Sequence, residues 1–300
     1  MNPFKAIGRF FAWLGPARVL GLVHLLLAGL YFIFTLFGTW AKREEANAGA
    51  LAADGGTGYG IVALVLSAVI VVLALLRLAG RNRLLPGLGV EQLTVILGFA
   101  AWANSVAFIV GWLVTFPAGT GWAAVAAYFP ASIIPQLGML TLSVTDPDPH
   151  VKPIAAGPRR AFSALALLAG VGVGLFPFLS WLTAGDISLS ALDEAAGNPR
   201  SGPRFGYILI IVSIIVVVGA FMRLRPQGLA EMGSNALAGH ALIAGGVVAI
   251  TLPIATYISI IRFDGGGLGA GIGLWLGLAA GAAMVVIGWV ENRQRGAVGV

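Results

Sequence analysis

The chain has 300 residues, 58% of them hydrophobic and only 10% charged, with a mean hydropathy of +0.93; so large an apolar fraction cannot be enclosed in one water-surrounded core, and lipid must solvate most of it. The formal charge of +6 does not point to nucleic acid, because the basic residues form no patch with interleaved aromatics and sit between apolar runs, where they orient membrane spans. With no cysteine, disulfides, thiolate metal sites and cysteine nucleophiles are excluded.

Residues 1–14 place Phe4, Ile7, Phe11 and Leu14 at helical spacing, with Lys5 and Arg9 between them. That pattern predicts either an interfacial helix lying flat in the headgroup layer or a basic flank that orients the first span. The first long apolar run has full spanning length and no small-residue cleavage site, so no cleaved signal is expected. Eight runs read as transmembrane helices: 18–40, 58–78, 92–116, 122–144, 161–183, 205–224, 240–261 and 268–290, each near the ~20 apolar residues that cross a bilayer.

Positive charge alternates around these spans. Lys5, Arg9, Arg18, Arg77, Arg81, Arg83, Lys152, Arg159, Arg160, Arg223, Arg225, Arg293 and Arg295 fall on one side; Lys42, Arg43, Arg200, Arg204 and Arg262 fall on the other. The excess predicts that both termini are cytoplasmic. Trp40, Trp112, Trp122, Trp181 and Trp289 fall at span ends and are expected at the interfaces, whereas Trp102 and Trp275 are mid-span and are expected to pack between helices.

A duplication organises the chain. Gly60 to Leu78 returns in altered form as Gly206 to Leu224, each with a serine at its eighth position (Ser67, Ser213) and a terminal Arg-Leu (Arg77-Leu78, Arg223-Leu224). Gly15-Pro16-Ala17-Arg18 opens span 1 as Gly157-Pro158-Arg159-Arg160 opens span 5, and Pro86 with Glu91 is matched by Pro226 with Glu231. The outer loops after spans 1 and 5 are both acidic, with Glu44, Glu45 and Asp54 in one and Asp186, Asp193 and Glu194 in the other. The expected fold is all-α, two parallel four-helix repeats over 1–150 and 151–300, since an even number of spans gives both halves one orientation.

Candidate sites are sparse. Gly269, Gly273, Gly277 and Gly281 recur every fourth residue in span 8, a glycine zipper that permits close helix approach to a neighbour in the chain or to another protein. His24 and His240 raise a proton relay, metal or haem ligand pair, against hydrogen-bonded or interfacial histidines, the reading we take because no carboxylate spacing supports a metal. Asn104, Ser105 and Gln136 are the strongest mid-membrane hydrogen-bonding groups and are expected as glue between helices. Pro130, Pro135, Pro177 and Pro253 each free a carbonyl and are expected as structural kinks, with a substrate path as the alternative. Glu91 with Arg81 and Arg83, and Glu231 with Arg223 and Arg225, read as anchoring charges at the inner interface. The Asp146-Pro147-Asp148-Pro149-His150 loop reads as a stiff connector, and the Gly265-Gly266-Gly267-Leu268-Gly269 run lacks the Lys-Ser/Thr of a phosphate loop and reads as a helix start.

Each half runs span, acidic small-residue outer loop, Gly-led span ending in a basic residue, third span and short outer turn, the first half closing with Gly119-Thr120-Gly121-Trp122. This resembles the four-helix membrane region of the actinobacterial 34 kDa antigen family, here present twice. The resemblance implies a link to envelope growth and septation, and it carries no catalytic residue onto this chain. The expected function is non-enzymatic, a multi-pass scaffold or accessory subunit of an envelope or respiratory assembly in the bacterial plasma membrane. Its expected partners are the bilayer and other membrane subunits or further copies of the chain, with no cofactor or nucleic acid. The alternative is a transporter or channel for a small weakly polar or lipidic solute where the halves meet.

Overall fold

In hydrocarbon a backbone N–H or C=O has no water to bond, so each long apolar run satisfies itself as a helix. The computed structural model describes residues 3–42, 47–49, 57–81, 83–85, 88–115, 121–145, 156–193, 206–224, 234–261 and 267–297. In chain order these are α1 (Pro3–Phe37), β1 (Thr39–Lys42), β2 (Asn47–Gly49), α2 (Thr57–Leu78), β3 (Arg83–Leu85), β4 (Leu88–Gly89), α3 (Val90–Thr115) and α4 (Trp122–Thr145). There follow α5 (Ala156–Leu175), a 3-10 turn (Phe176–Phe178), β5 (Ser180–Ala184), β6 (Ile187–Ser190), α6 (Gly206–Leu224), α7 (Ser234–Ile261), β7 (Leu268–Ala270) and α8 (Ile272–Ala297). All eight helices are long and apolar enough to cross a membrane, the make-up of a multi-pass membrane protein.

The first four helices close a ring in which α1 packs on α2 and α4, and α3 on α2 and α4. Helices α5 to α8 close a second ring in the same order, and α7 joins the rings by packing on α2 and α3. Contact at that junction is close: a Cβ on Gly58 would fall 1.7 Å from the Ala255 carbonyl oxygen. The Gly58 N–H donates to Ser259 Oγ at 3.1 Å.

Small β elements cap one end of the rings. β1 pairs with β2, and β5 pairs antiparallel with β6 (Leu182↔Leu189, Thr183↔Ser188) and with β7 (Leu182↔Ala270, Thr183↔Gly269). Two connections share one geometry. Trp40 Nε1 donates to the Phe34 carbonyl at 3.0 Å, and Trp181 Nε1 to the Phe176 carbonyl at 2.8 Å. The Gly121 N–H then donates to the Trp40 carbonyl at 2.7 Å, and the Gly271 N–H to the Trp181 carbonyl at 2.9 Å, each just before the last helix of its ring. Neither glycine tolerates a side chain: a Cβ would lie 2.1 Å from the Thr39 oxygen or 2.3 Å from the Ser180 oxygen.

Several expectations change here. Residues 3–14 continue α1 without interruption rather than forming a separate flat helix; a 35-residue helix is about 52 Å long against a hydrocarbon core of ~30 Å, so its first turns extend past the span. The fifth helix stops at Leu175, where Pro177 opens the 3-10 turn, so Trp181 lies in a strand. Trp40 and Trp181 are buried at 1% and 0% exposure instead of straddling the interface, because their indole N–H groups find carbonyl partners inside the protein. Trp102 and Trp275 are partly exposed, and Trp275 meets the Tyr257 ring of α7 at 5.3 Å between centroids, so the expected packing between helices holds in part for Trp275. Among the glycines, Gly269 belongs to β7, opposite Thr183, and not to the helical ridge, since α8 begins only at Ile272.

Candidate functional site

The buried face of α2 carries Gly60, Ala63, Ser67, Ile70, Ala74 and Arg77, and that of α6 carries Gly206, Leu209, Ser213, Val216, Ala220 and Arg223. The two sets occupy the same positions of the repeated stretch, and each ends with an arginine turned inward. Arg77 is 7% exposed and Arg223 4%, so neither is the interfacial anchor expected of a terminal basic residue. A buried charge must be paired and hydrogen-bonded to persist, and both are.

Around Arg77 every helix of the first ring supplies one group. Its Nε lies 3.1 Å from Glu91 Oε1 on α3; its Nη1 lies 3.3 Å from His24 Nδ1 on α1 and 3.4 Å from Thr141 Oγ1 on α4. A guanidinium only donates, so His24 Nδ1 accepts and the ring hydrogen sits on Nε2, which faces the Ile134 carbonyl at 3.3 Å. Thr141 gives its own hydrogen to the Leu137 carbonyl at 2.8 Å, leaving oxygen lone pairs for Arg77. The chain reverses just beyond through Gly80 (φ +79). There Arg81 N–H bonds the Leu76 carbonyl and Gly80 N–H the Arg77 carbonyl, both at 2.9 Å, the glycine-closed helix end that stops α2 next to its arginine.

The second ring solves the same problem differently. Arg223 Nη1 donates to Glu291 Oε2 at 3.2 Å and Nη2 to Glu291 Oε1, a two-pronged pair between α6 and α8 whose planar geometry suits a guanidinium and a carboxylate. Glu291 is fully buried. The expected partners were different in both cases: Glu91 pairs with Arg77, while Arg81 is exposed. Arg223 pairs with Glu291, while Glu231 and Arg225 lie outside the described residues. Both buried arginines continue the spacing of the inward positions before them, which is the signal that marks them.

A third polar layer joins the rings. Asn104 is fully buried on α3, and its Nδ2 donates to the Tyr59 carbonyl at 2.9 Å. Tyr59 Oη lies 3.5 Å from Thr256 Oγ1 on α7, and Tyr31 Oη lies 3.2 Å from Ser105 Oγ. Asn104 Oδ1 has no hydrogen-bond partner among the described residues.

Of the predicted site residues, Asn104 and Ser105 therefore bind helices together, but Gln136 does not: it is on the exposed face of α4, because the inward positions there are taken by Ile134 and Pro135 against Gly98. His24 and His240 are not brought together as a pair; His24 is committed to Arg77 and Ile134, which leaves it no lone pair for a metal. His240 is half-buried on α7. Gly273 and Gly277 receive the Trp181 ring, and Gly281 packs on Ala249 and Gly246 of α7, so these three face their own chain. Pro130, Pro135 and Pro253 are buried within α4 and α7. Asp146, Asp148 and His150 lie outside the described residues. Among the described residues no three His, Asp or Glu side chains gather at metal-binding separation.

Chemically, the arrangement neutralises charge in place. Each arginine faces one carboxylate, and Arg77 Nη1 also meets His24 and Thr141; Arg77 Nη2 and Arg223 Nε have no hydrogen-bond partner among the described residues. Comparison with known proteins gives no further guide: no protein family, no curated protein and no solved structure matches this chain.

Proposed function

We propose that the chain is a non-enzymatic, multi-pass scaffold or accessory subunit of a larger membrane assembly, built as two parallel four-helix repeats with both termini in the cytoplasm of a bacterial plasma membrane. The observation that carries this reading is the closure of both buried charges, Arg77 on Glu91 and Arg223 on Glu291, inside the protein. A carrier or enzyme keeps ionisable groups available to substrate, whereas here they link helices. The duplication is supported by the six matched inward positions of α2 and α6, the identical ring order, and the paired Gly121–Trp40 and Gly271–Trp181 contacts. The cytoplasmic termini rest on the distribution of Lys and Arg. The envelope setting rests on the resemblance to the actinobacterial 34 kDa antigen family.

Purification of the tagged chain from its native membrane in mild detergent tests the proposal. Stoichiometric recovery of one or more different membrane subunits is the expected result; consistent recovery of the chain alone opposes it. One observation favours the runner-up, a passage for a small weakly polar solute: Asn104 Oδ1, fully buried near the junction of the rings, has no donor among the described residues. Flux into proteoliposomes that is abolished by Asn104→Leu would support that reading over the first.

A further inference from the structure

Hydrocarbon offers an amide nothing to bond, so a polar side chain on the outside of a membrane helix is costly unless another protein covers it. Among the described exposed residues of the eight spans, charged groups (Arg18, Arg160, Arg293) occur only near span ends, and the remaining exposed residues are apolar or aromatic with one exception. That exception is Gln136. It lies five residues inside the end of the span Trp122–Thr141, about 7.5 Å at 1.5 Å per residue. Its neighbours on α4 reach His24 through the Ile134 carbonyl and Arg77 through Thr141, so it stands level with the buried polar cluster but on the opposite face.

The face around it is regular. Trp122, Val125, Phe129, Ile133, Gln136 and Leu140 are all exposed, at the three-and-four spacing of a helix–helix seam. Ser132, half-buried beside it, gives its hydrogen to the Phe129 carbonyl at 2.8 Å and keeps lone pairs to accept with. The outward face of α2 (Val65, Val69, Val72, Leu75) is aliphatic, and that of α6 (Tyr207, Ile211, Ile214, Ile215, Val218, Phe221) carries neither an amide nor a charge.

We propose that a second copy of this chain docks on the exposed face of α4, with the two Gln136 amides hydrogen-bonded to each other across a two-fold axis. An amide carries both donor and acceptor and is its own complement. In a two-fold interface a residue on the axis meets its own copy, so one glutamine per chain forms a reciprocal pair with nothing left over. A charged partner helix would bring an ion that this face has no charge to meet, and lipid would leave the amide bare. The inference needs only that α4 crosses hydrocarbon and is independent of the accessory role.

The cysteine-free chain permits a direct test. Single Phe129→Cys and Ile133→Cys variants, oxidised in native membranes, are expected to give a disulfide-linked product of twice the chain mass, while Val69→Cys on α2 and Ile214→Cys on α6 give none. Energy transfer between labelled full-length copies diluted with lipid is expected to show association about tenfold weaker for Gln136→Leu, from the loss of two interhelical hydrogen bonds, and largely preserved for Gln136→Asn. Thermal unfolding of Gln136→Leu in excess detergent, where the copies are separated, should match the wild type, since the side chain faces outward. No double-mass product from α4, equal yield from the α2 and α6 controls, cross-linking only to a different protein, or unchanged association in Gln136→Leu would each overturn the proposal.

Discussion

Arg77 Nε lies 3.1 Å from Glu91 Oε1, with the two side chains 6% and 12% exposed, so the ends of α2 and α3 are joined by an ion pair inside the first ring. Arg77 is buried and Glu91 half-buried, so each has little water to fall back on. Removing one partner strands the other, which costs about 3–5 kcal/mol, whereas replacing both with apolar groups of similar volume is often neutral. Arg77→Met and Glu91→Leu alone are therefore expected to lower the melting temperature in detergent sharply, and the double variant to recover most of the loss. A double variant as unstable as the singles would mean that the pair does not act as a unit.

The hydrogen on His24 is set by its neighbours. Arg77 Nη1 can only donate to Nδ1, and the Ile134 carbonyl can only accept from Nε2. Nitrogen NMR of histidine-labelled protein in lipid should show a protonated Nε2 and a bare Nδ1 for the signal lost in His24→Gln. In Arg77→Met, where the donor to Nδ1 is gone, that signal should shift. The opposite tautomer in the wild-type chain would contradict the arrangement.

Gly121 and Gly271 stand where the last helix of each ring starts, with backbone oxygen within 2.1 and 2.3 Å of any Cβ. Alanine at either position must push a strand away from a helix, a cost of about 1–3 kcal/mol, and the two losses should be similar. Gly219 on α6 has nothing within 4 Å of its Cβ position. Alanine there should be neutral or stabilising by up to about 1 kcal/mol, because glycine is the poorer helix former. Heating the three variants in the same detergent and following loss of the monodisperse peak checks both halves of the expectation.

The eight spans could be read from the sequence because hydrocarbon makes one demand, length without charge, and every run meets it. What lay inside a span was harder to read, since an apolar helix shows no contrast between its lipid face and its protein face. Arg77 and Arg223 looked like anchors for that reason, although their spacing from Ala74 and Ala220 continues an inward stripe. Gln136 looked like interhelical glue by chemistry alone, and only the rotation of α4, fixed by Gly98 against Pro135, turns it outward. The strands carrying Trp40 and Trp181 were hidden inside runs hydrophobic enough to count as helix.

Trp181 supplies the sharpest test of the glycine ridge. A Cβ on Gly273 would lie 2.7 Å from its Cδ1, and one on Gly277 would lie 3.0 Å from its Cζ2, so the indole lies on α8 only because those positions are bare. Trp181→Ala should open a cavity and cost about 3–5 kcal/mol, and Gly273→Ala alone should also destabilise by forcing the ring away. In the Trp181→Ala background the same Gly273→Ala change still meets Leu179 Cβ at 2.9 Å but no longer the indole, so its cost should shrink. A double-mutant cycle measured by thermal unfolding reads that coupling directly. Simple additivity would mean that the ring does not rest on the glycines and that their spacing serves a contact outside the chain.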